Sequence, residues 1–310
     1  MKVVASDPVI HIENFRMEFG KNVVIENLSF DVYAGETFGF LGSNGCGKTT
    51  TIRALLGIYQ ATDGILHVGG KDFSPEYGGK LGYLPEERGL YKKETVIDVM
   101  TYFGRLKGMS REAAHSWSIN YLERVFIADK AKLRMDKLSS GQQQKVQLGV
   151  TLMNDPDLLI LDEPTKGFDP VNRRLLMDMV EERRKEGATV LMVTHQMDEV
   201  ERLCDRLILL KDGKSRAYGT LTEIQDQFGK ESIVVQTTDT IPDSSKYEVL
   251  LRGLSETELQ LADGLAPGDI LRELIDSGLH IQGYVPTRPS LENIFIQVYG
   301  REEELDEDRS

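Results

Sequence analysis

Gly42-Ser43-Asn44-Gly45-Cys46-Gly47-Lys48-Thr49 follows an apolar run at 37–41 and opens a stretch, 48–56, that reads as a helix. Strand, glycine-rich loop and helix in that order form the setting in which G-x-x-x-x-G-K-[ST] cradles a polyphosphate. Gly42, Gly45 and Gly47 let the main chain wrap an anion, so that N–H groups around Ser43, Asn44, Cys46 and Thr50 point inward. The helix N-terminus adds a dipole that favours negative charge. Lys48 is expected to reach the β- and γ-phosphates, and the Thr49 hydroxyl to ligate Mg2+, an ion that needs few protein oxygens. A glycine-rich turn is the alternative reading of the loop alone, and the flanking strand and helix argue against it.

Outward from the loop, strands and helices alternate. Upstream, 9–15 and 23–32 alternate apolar and polar residues around Gly20-Lys21-Asn22, the pattern of an antiparallel β pair. Downstream come strands at 64–68 and 80–84, a helical stretch at 95–132, and a strand at 158–161. A helix at 172–186, a strand at 189–194, a helix at 197–203 and a strand at 206–211 follow. The expected fold is α/β, a mostly parallel sheet flanked by helices, with an antiparallel β subdomain and a helical subdomain, over 9–219. Composition shifts after Gly219. A connecting helix at 220–230, strands at 232–237, 247–252 and 279–285, and helices at 267–277 and 291–299 predict a small α+β domain over 220–300. Residues 301–310, with six acids against two arginines, form an acidic tail.

Leu158-Leu159-Ile160-Leu161-Asp162-Glu163 is an apolar strand ending in two carboxylates, placed where ligands bind in open α/β sheets. Asp162 is expected to support Mg2+ through a coordinated water, and Glu163 to orient and polarise an attacking water. A strand that merely stops at polar residues is the bland alternative. Leu138-Ser139-Ser140-Gly141-Gln142-Gln143 precedes a helix and reads equally well as its N-cap.

The order of phosphate loop, Leu-Ser-Ser-Gly-Gln, Leu-Leu-Ile-Leu-Asp-Glu-Pro, an Asp-containing loop and a lone histidine resembles the ATP-binding subunit of ABC transporters over about two-thirds of the chain. The resemblance implies that Phe19 stacks on adenine, although a lone aromatic in a β-ribbon is more often packing. It implies that Ser139, Gly141 and Gln142 contact the γ-phosphate bound to an opposing subunit. It assigns Asp169 to a loop coupling two sites, and His195, with Glu163 and Lys48, to catalysis, where His195 holds the γ-phosphate. Thr49, Asp162 and Glu86 become the Mg2+ ligands, and ATP and Mg2+ the small-molecule partners. Glu86 stands where the family has glutamine, Ser140 where glycine is usual, and Lys166 and Phe168 where a small residue and leucine are common.

Gly82-Tyr83-Leu84-Pro85-Glu86-Glu87-Arg88-Gly89-Leu90-Tyr91 resembles a branch of exporter ATPases related to sodium-extrusion systems. Residues 286–295, Pro-Thr-Arg-Pro-Ser-Leu-Glu-Asn-Ile-Phe, resemble the accessory domain of such subunits. That branch works with separately encoded ABC-2-type permeases, and sodium ions or a drug are the implied cargo. The implied mechanism pairs two cassettes head to tail, as a homo- or heterodimer, with residues 95–132 transmitting closure to the permease.

The 310 residues are 40% hydrophobic and 28% charged, as in a globular protein. No apolar run spans a bilayer and the first residues lack a secretory pattern, so a peripheral position on the inner face of the membrane is expected. Cys46 and Cys204 fit a reducing compartment. The net charge of −13 argues against nucleic-acid binding. Soluble ABC ATPases acting on ribosomes or DNA are the rival class. Ribosome-acting members carry two cassettes and DNA-repair members a long coiled-coil insertion, neither of which fits this chain. A non-hydrolysing regulatory subunit is the second rival, opposed by intact Lys48, Thr49, Asp162, Glu163 and His195.

Overall fold

The computed structural model describes residues 7–87, 89–228, 232–262 and 264–300. Arg88 and the acidic tail at 301–310 lie outside them. The chain divides into two compact units, Met1–Tyr218 and Gly219–Ser310.

In the first unit β1 (Ile10–Phe19) pairs antiparallel with β2 (Asn22–Val32). β3 (Thr37–Gly42) is buried at every position and leads through the glycine-rich loop into α1 (Lys48–Leu55). β4 (Asp63–Val68) pairs antiparallel with β1, and β5 (Leu81–Leu84) runs parallel to β6 (Leu158–Asp162). Between β5 and β6 lie α2 (Val96–Leu106), α3 (Arg111–Arg124) and α4 (Ser140–Leu152). α5 (Pro170–Lys185), β7 (Thr189–Thr194), α6 (Met197–Leu203), β8 (Arg206–Lys211) and β9 (Lys214–Thr220) complete the order. The strands form one nine-stranded sheet, β4-β1-β2-β9-β8-β3-β7-β6-β5. β8, β3, β7, β6 and β5 are mutually parallel at each junction. Parallel strands covered on both faces read as unbroken apolar runs, which is why these were visible in sequence. Phe38, Phe40, Ile160, Leu191, Val193 and Ile208 fill one side of the core with Ile52 and Leu55 of α1.

The structure corrects several sequence expectations. The helical stretch at 95–132 is two helices, broken at 107–110, where Gly108 takes a positive φ of 90° and the Ser110 side chain caps α3. α4 packs against both, so the helical layer extends beyond residue 132. β9 was not anticipated, because Lys214-Ser215-Arg216 carries no apolar alternation. Its signal was Asp212-Gly213, a two-residue hairpin turn with φ of 50° and 70°. A Cβ at Gly213 would lie 2.3 Å from the Val24 carbonyl oxygen, so the turn also requires glycine for its approach to β2.

The second unit contains α7 (Leu221–Phe228), β10 (Ser232–Gln236), β11 (Tyr247–Arg252), β12 (Glu256–Leu261), α8 (Pro267–Asp276), β13 (Gly283–Thr287) and α9 (Leu291–Gly300). Its sheet, β11-β12-β10-β13, is antiparallel throughout. Ile233, Val235, Leu259 and Leu261 pack with Ile270 and Leu274 of α8. β12 was not expected, although Thr257, Leu259 and Leu261 alternate with exposed or half-buried polar residues. The strand expected at 279–285 lies later: Leu279 and Ile281 pack on the core without pairing, and pairing runs over Gly283–Thr287. Pro286 is tolerated there because β13 is an edge strand.

Candidate functional site

Strand register brings distant segments to one place. In the parallel sheet Leu41 stands opposite Thr194, and Asp162 opposite Val193. The C-terminal ends of β3, β6 and β7 therefore open on one edge. The glycine-rich loop leaves from the first, Glu163 from the second and His195 from the third. A cleft of about 300 Å³ at this edge is lined by Asn44, Gly45, Gly47, Lys48, Thr49, Thr50, Glu86, Asp162, Glu163 and Lys166.

The loop closes on itself through Lys48. Its Nζ donates to the carbonyls of Gly42 at 2.7 Å and Ser43 at 2.9 Å, and the side chain is buried. Gly47, the N-cap of α1, has φ 110°, and a Cβ there would lie 2.3 Å from Ile25 Cδ1. Only glycine gives both the left-handed turn and the contact that seats the loop on β2. Cys46 is buried, and burial raises its thiol pKa above the ordinary value, which keeps it inert at neutral pH.

Thr49 Oγ1 donates to Asp162 Oδ2 at 3.0 Å, while Asp162 Oδ1 is buried without a hydrogen-bond partner. Burial pushes the Asp162 carboxyl up to about 6, with the Thr49 bond opposing the rise. An orphaned carboxylate oxygen beside a hydroxyl suits a hard cation whose other ligands are water and phosphate oxygens, as Mg2+ prefers. Among the described residues no cluster of three or more His, Cys, Asp or Glu side chains is placed to hold a metal by itself. The donor set thus fits Mg2+ arriving with a phosphate ligand.

Glu163 is the next residue and has φ 50°, a left-handed conformation uncommon for a residue with a side chain. Its N–H donates to the Val193 carbonyl at 2.8 Å, which anchors the turn on β7. Its buried carboxylate meets His195 Nδ1 at 2.8 Å, and Gln196 Nε2 lies 3.2 Å from the other ring nitrogen. His195 is close to the cleft through Glu163 but is not in its lining.

Glu86, two residues beyond β5, pairs with Lys166: Nζ to Oε1 is 2.5 Å. Two buried glutamines of α4 hold the segments that carry this pair. Gln144 donates to the Pro164 carbonyl at 2.8 Å, and Gln147 to those of Pro85 and Glu87 at 3.3 and 3.2 Å. Buried Glu199 of α6 accepts from the Thr165 hydroxyl at 2.5 Å and from Arg173 Nε at 2.7 Å. Burial raises its pKa, and the Thr165 bond and Arg173 oppose the rise. The sequence reading missed Gln144, Gln147 and Glu199. Their signal was polar residues of long reach at core positions of helices.

The remaining expected residues lie outside the cleft lining. Phe19 is a half-exposed ring at the end of β1, edge-on to Tyr59 at 5.5 Å, and Tyr59 accepts from Arg53 of α1 at 3.1 Å. Ser139 and Gln142 form a capping box at the start of α4, with the Ser139 amide to Gln142 Oε1 at 2.9 Å. Gly141 beside them faces open space apart from Phe168. Asp169 caps α5, its Oδ1 accepting from the amides of Val171 and Asn172 at 3.0 Å each. Those bonds, that from Asn172 foremost, hold its carboxyl below the usual range.

Residues 25–166 match the ABC transporter family model, and residues 219–299 match the model of the C-terminal domain of DrrA1-3-like ATP-binding proteins. The chain is 36% identical over 295 residues to the uncharacterized ABC transporter ATP-binding protein YhaQ of Bacillus subtilis, covering 94% of this chain and 99% of the relative. It is 30% identical over 309 residues to the linearmycin resistance ATP-binding protein LnrL of the same organism, covering 94% and 99%. A solved structure of the ATP-binding subunit of an ABC transporter matches with a TM-score of 0.67 at 28% identity, over 71% of this chain and 93% of that one.

Proposed function

This chain belongs to the family of ABC transporter ATP-binding proteins, and from that premise we propose that it hydrolyses ATP at the cleft beside Lys48 and so drives a separate membrane permease of the ABC-2 type. The observation that carries the reading is the convergence of Lys48, Glu163 and the Glu163–His195 pair at one sheet edge.

The loop amides and Lys48 bind the phosphates. Glu163, fixed by its amide bond to β7, orients a water against the terminal phosphate and accepts its proton. His195 aligns that carboxylate through Nδ1 and stands beside the site of the terminal phosphate. Thr49, Asp162 and Glu86 would hold Mg2+, which supplies positive charge against the phosphate oxygens when bound. Ser139, Gly141 and Gln142, at the N-terminus of α4, are read as contacts to nucleotide on a second cassette. Among the described residues no helix is long and apolar enough to cross a membrane, so the permease is the proposed anchor on the inner face. The linearmycin resistance relative favours a drug-like cargo chosen by the permease.

Glu163→Gln keeps the shape and removes the base. We expect ATP turnover to fall by about 100-fold or more, with an ATP-retaining dimer accumulating on size-exclusion chromatography. Turnover at the unaltered rate removes Glu163 from the chemistry.

A further inference from the structure

Glu86 and Lys166 lie far apart in sequence and meet at the cleft: their side chains form an ion pair at 2.5 Å across 80 positions. Both line the cleft with Thr49, Asp162 and Glu163. An exposed pair of this kind adds little to stability, and here the side chains are 36% and 60% exposed. Yet the loops beneath are held firmly. Gln147 fixes the main chain on either side of Glu86, Gln144 fixes Pro164, Glu199 fixes Thr165, and the Lys166 amide donates to the Glu163 carbonyl at 3.1 Å. Anchored backbones carrying two solvent-exposed charged ends suit a pair whose members change partners.

The charge balance of the cleft points the same way. Lys48 and Lys166 face Glu86, Asp162 and Glu163, so each ammonium matters to an anion that must enter. Lys48 sits at the loop carbonyls of Gly42 and Ser43, whereas Lys166 sits at the Glu163 end. A triphosphate laid along the loop brings its terminal group to that end. Lysine presents three donors on a four-carbon stem and can pass from one anion to another without moving its main chain.

We propose that Lys166 is a second phosphate-binding ammonium, held on Glu86 in the nucleotide-free chain and transferred to the terminal phosphate of a bound triphosphate, with Glu86 as its positioning residue. The inference rests on the reading of the cleft as the nucleotide site. It makes Lys166 a means of distinguishing ATP from ADP, which lacks the group to be contacted.

The test is calorimetric titration of the full chain with a non-hydrolysable ATP analogue and with ADP, both with Mg2+. The proteins compared are unaltered, Lys166→Met, Lys166→Arg, and Glu86→Gln/Lys166→Met. The expected result is about tenfold weaker analogue binding in Lys166→Met, with ADP affinity within about twofold of the unaltered protein. Lys166→Arg recovers most of the analogue affinity, and the double variant stays as weak as Lys166→Met. Equal losses for both nucleotides, or recovery of analogue affinity in the double variant, would overturn the proposal by making Lys166 only a counter-charge for Glu86. Analogue binding alike in unaltered and Lys166→Met proteins overturns this inference alone. Failure of the unaltered protein to bind either nucleotide overturns the nucleotide reading and this inference together.

Discussion

The two sheets of this chain handle charge in opposite ways. At one edge of the nine-stranded sheet, Lys48, Asp162 and Glu163 are all buried, and Asp162 Oδ1 lacks a hydrogen-bond partner. Around the four-stranded sheet of the second unit, the core is apolar, no Lys, Arg, Asp or Glu among the described residues is buried, and charges such as Lys246–Glu273 and Arg288–Asp226 pair outside the strands at 2.7 and 3.1 Å. The difference follows from strand direction. Parallel β3, β7 and β6 discharge three loops at the same edge, whereas antiparallel neighbours send successive loops to opposite edges. Parallel order concentrates unlike groups in one place, and the cost of burying them is tolerated there because it prepares a site.

The largest expected effect breaks the comparison on the first side. Lys48→Ala removes the buried ammonium that closes the loop, and nucleotide binding should fall by about 100-fold or more. Equilibrium titration with ATP checks this, and unchanged affinity would place the site elsewhere. Leu259→Ala tests the other side. Leu259 is fully buried, so the change should cost about 3 kcal/mol of stability in urea unfolding. Nucleotide affinity should stay within about twofold of the unaltered value, because that core lies in a separate unit. A large loss of affinity would mean that the second sheet supports the first site directly.

A smaller effect sharpens the comparison. Asp162 keeps its proton up to about pH 6 in the folded chain, against an ordinary value of 3.8. Between those values the unfolded chain has released a proton that the folded chain retains, so rising pH favours unfolding. The full stability contribution is present below about pH 4 and is lost by about pH 6, on the order of 3 kcal/mol. Asp162→Asn should flatten that part of the stability-versus-pH curve of the nucleotide-free protein. Thermal unfolding between pH 4 and 7 measures it, and an unchanged slope would assign the strain to another group.

Much of this was readable in the residues themselves. The runs at 37–41 and 158–161 are apolar without interruption, as strands buried on both faces must be, and the glycine-rich loop announces its own turn. Polar strands were harder to read, because their signals are a two-residue turn or a short alternation rather than an apolar run. Lys214–Thr220 and Glu256–Leu261 acquire their strand character from neighbours that complete their hydrogen bonds, and the unaided pattern at Lys214 shows no apolar face. Leu279 and Ile281 misled because apolar residues can pack on a core without joining its sheet.

Local sequence by itself determined the elements: the cradle at 42–49, the carboxylates ending β6, the serine cap of α4, and the change of composition after Gly219. These depend on near neighbours, on glycine conformation and on the periodicity of burial. Only the tertiary structure decided which distant charges face one another. Glu86 and Lys166 looked like two separate departures until strand register and the glutamines of α4 set their loops side by side. An ion pair acts over a few ångströms of space, whereas sequence records only distance along the chain.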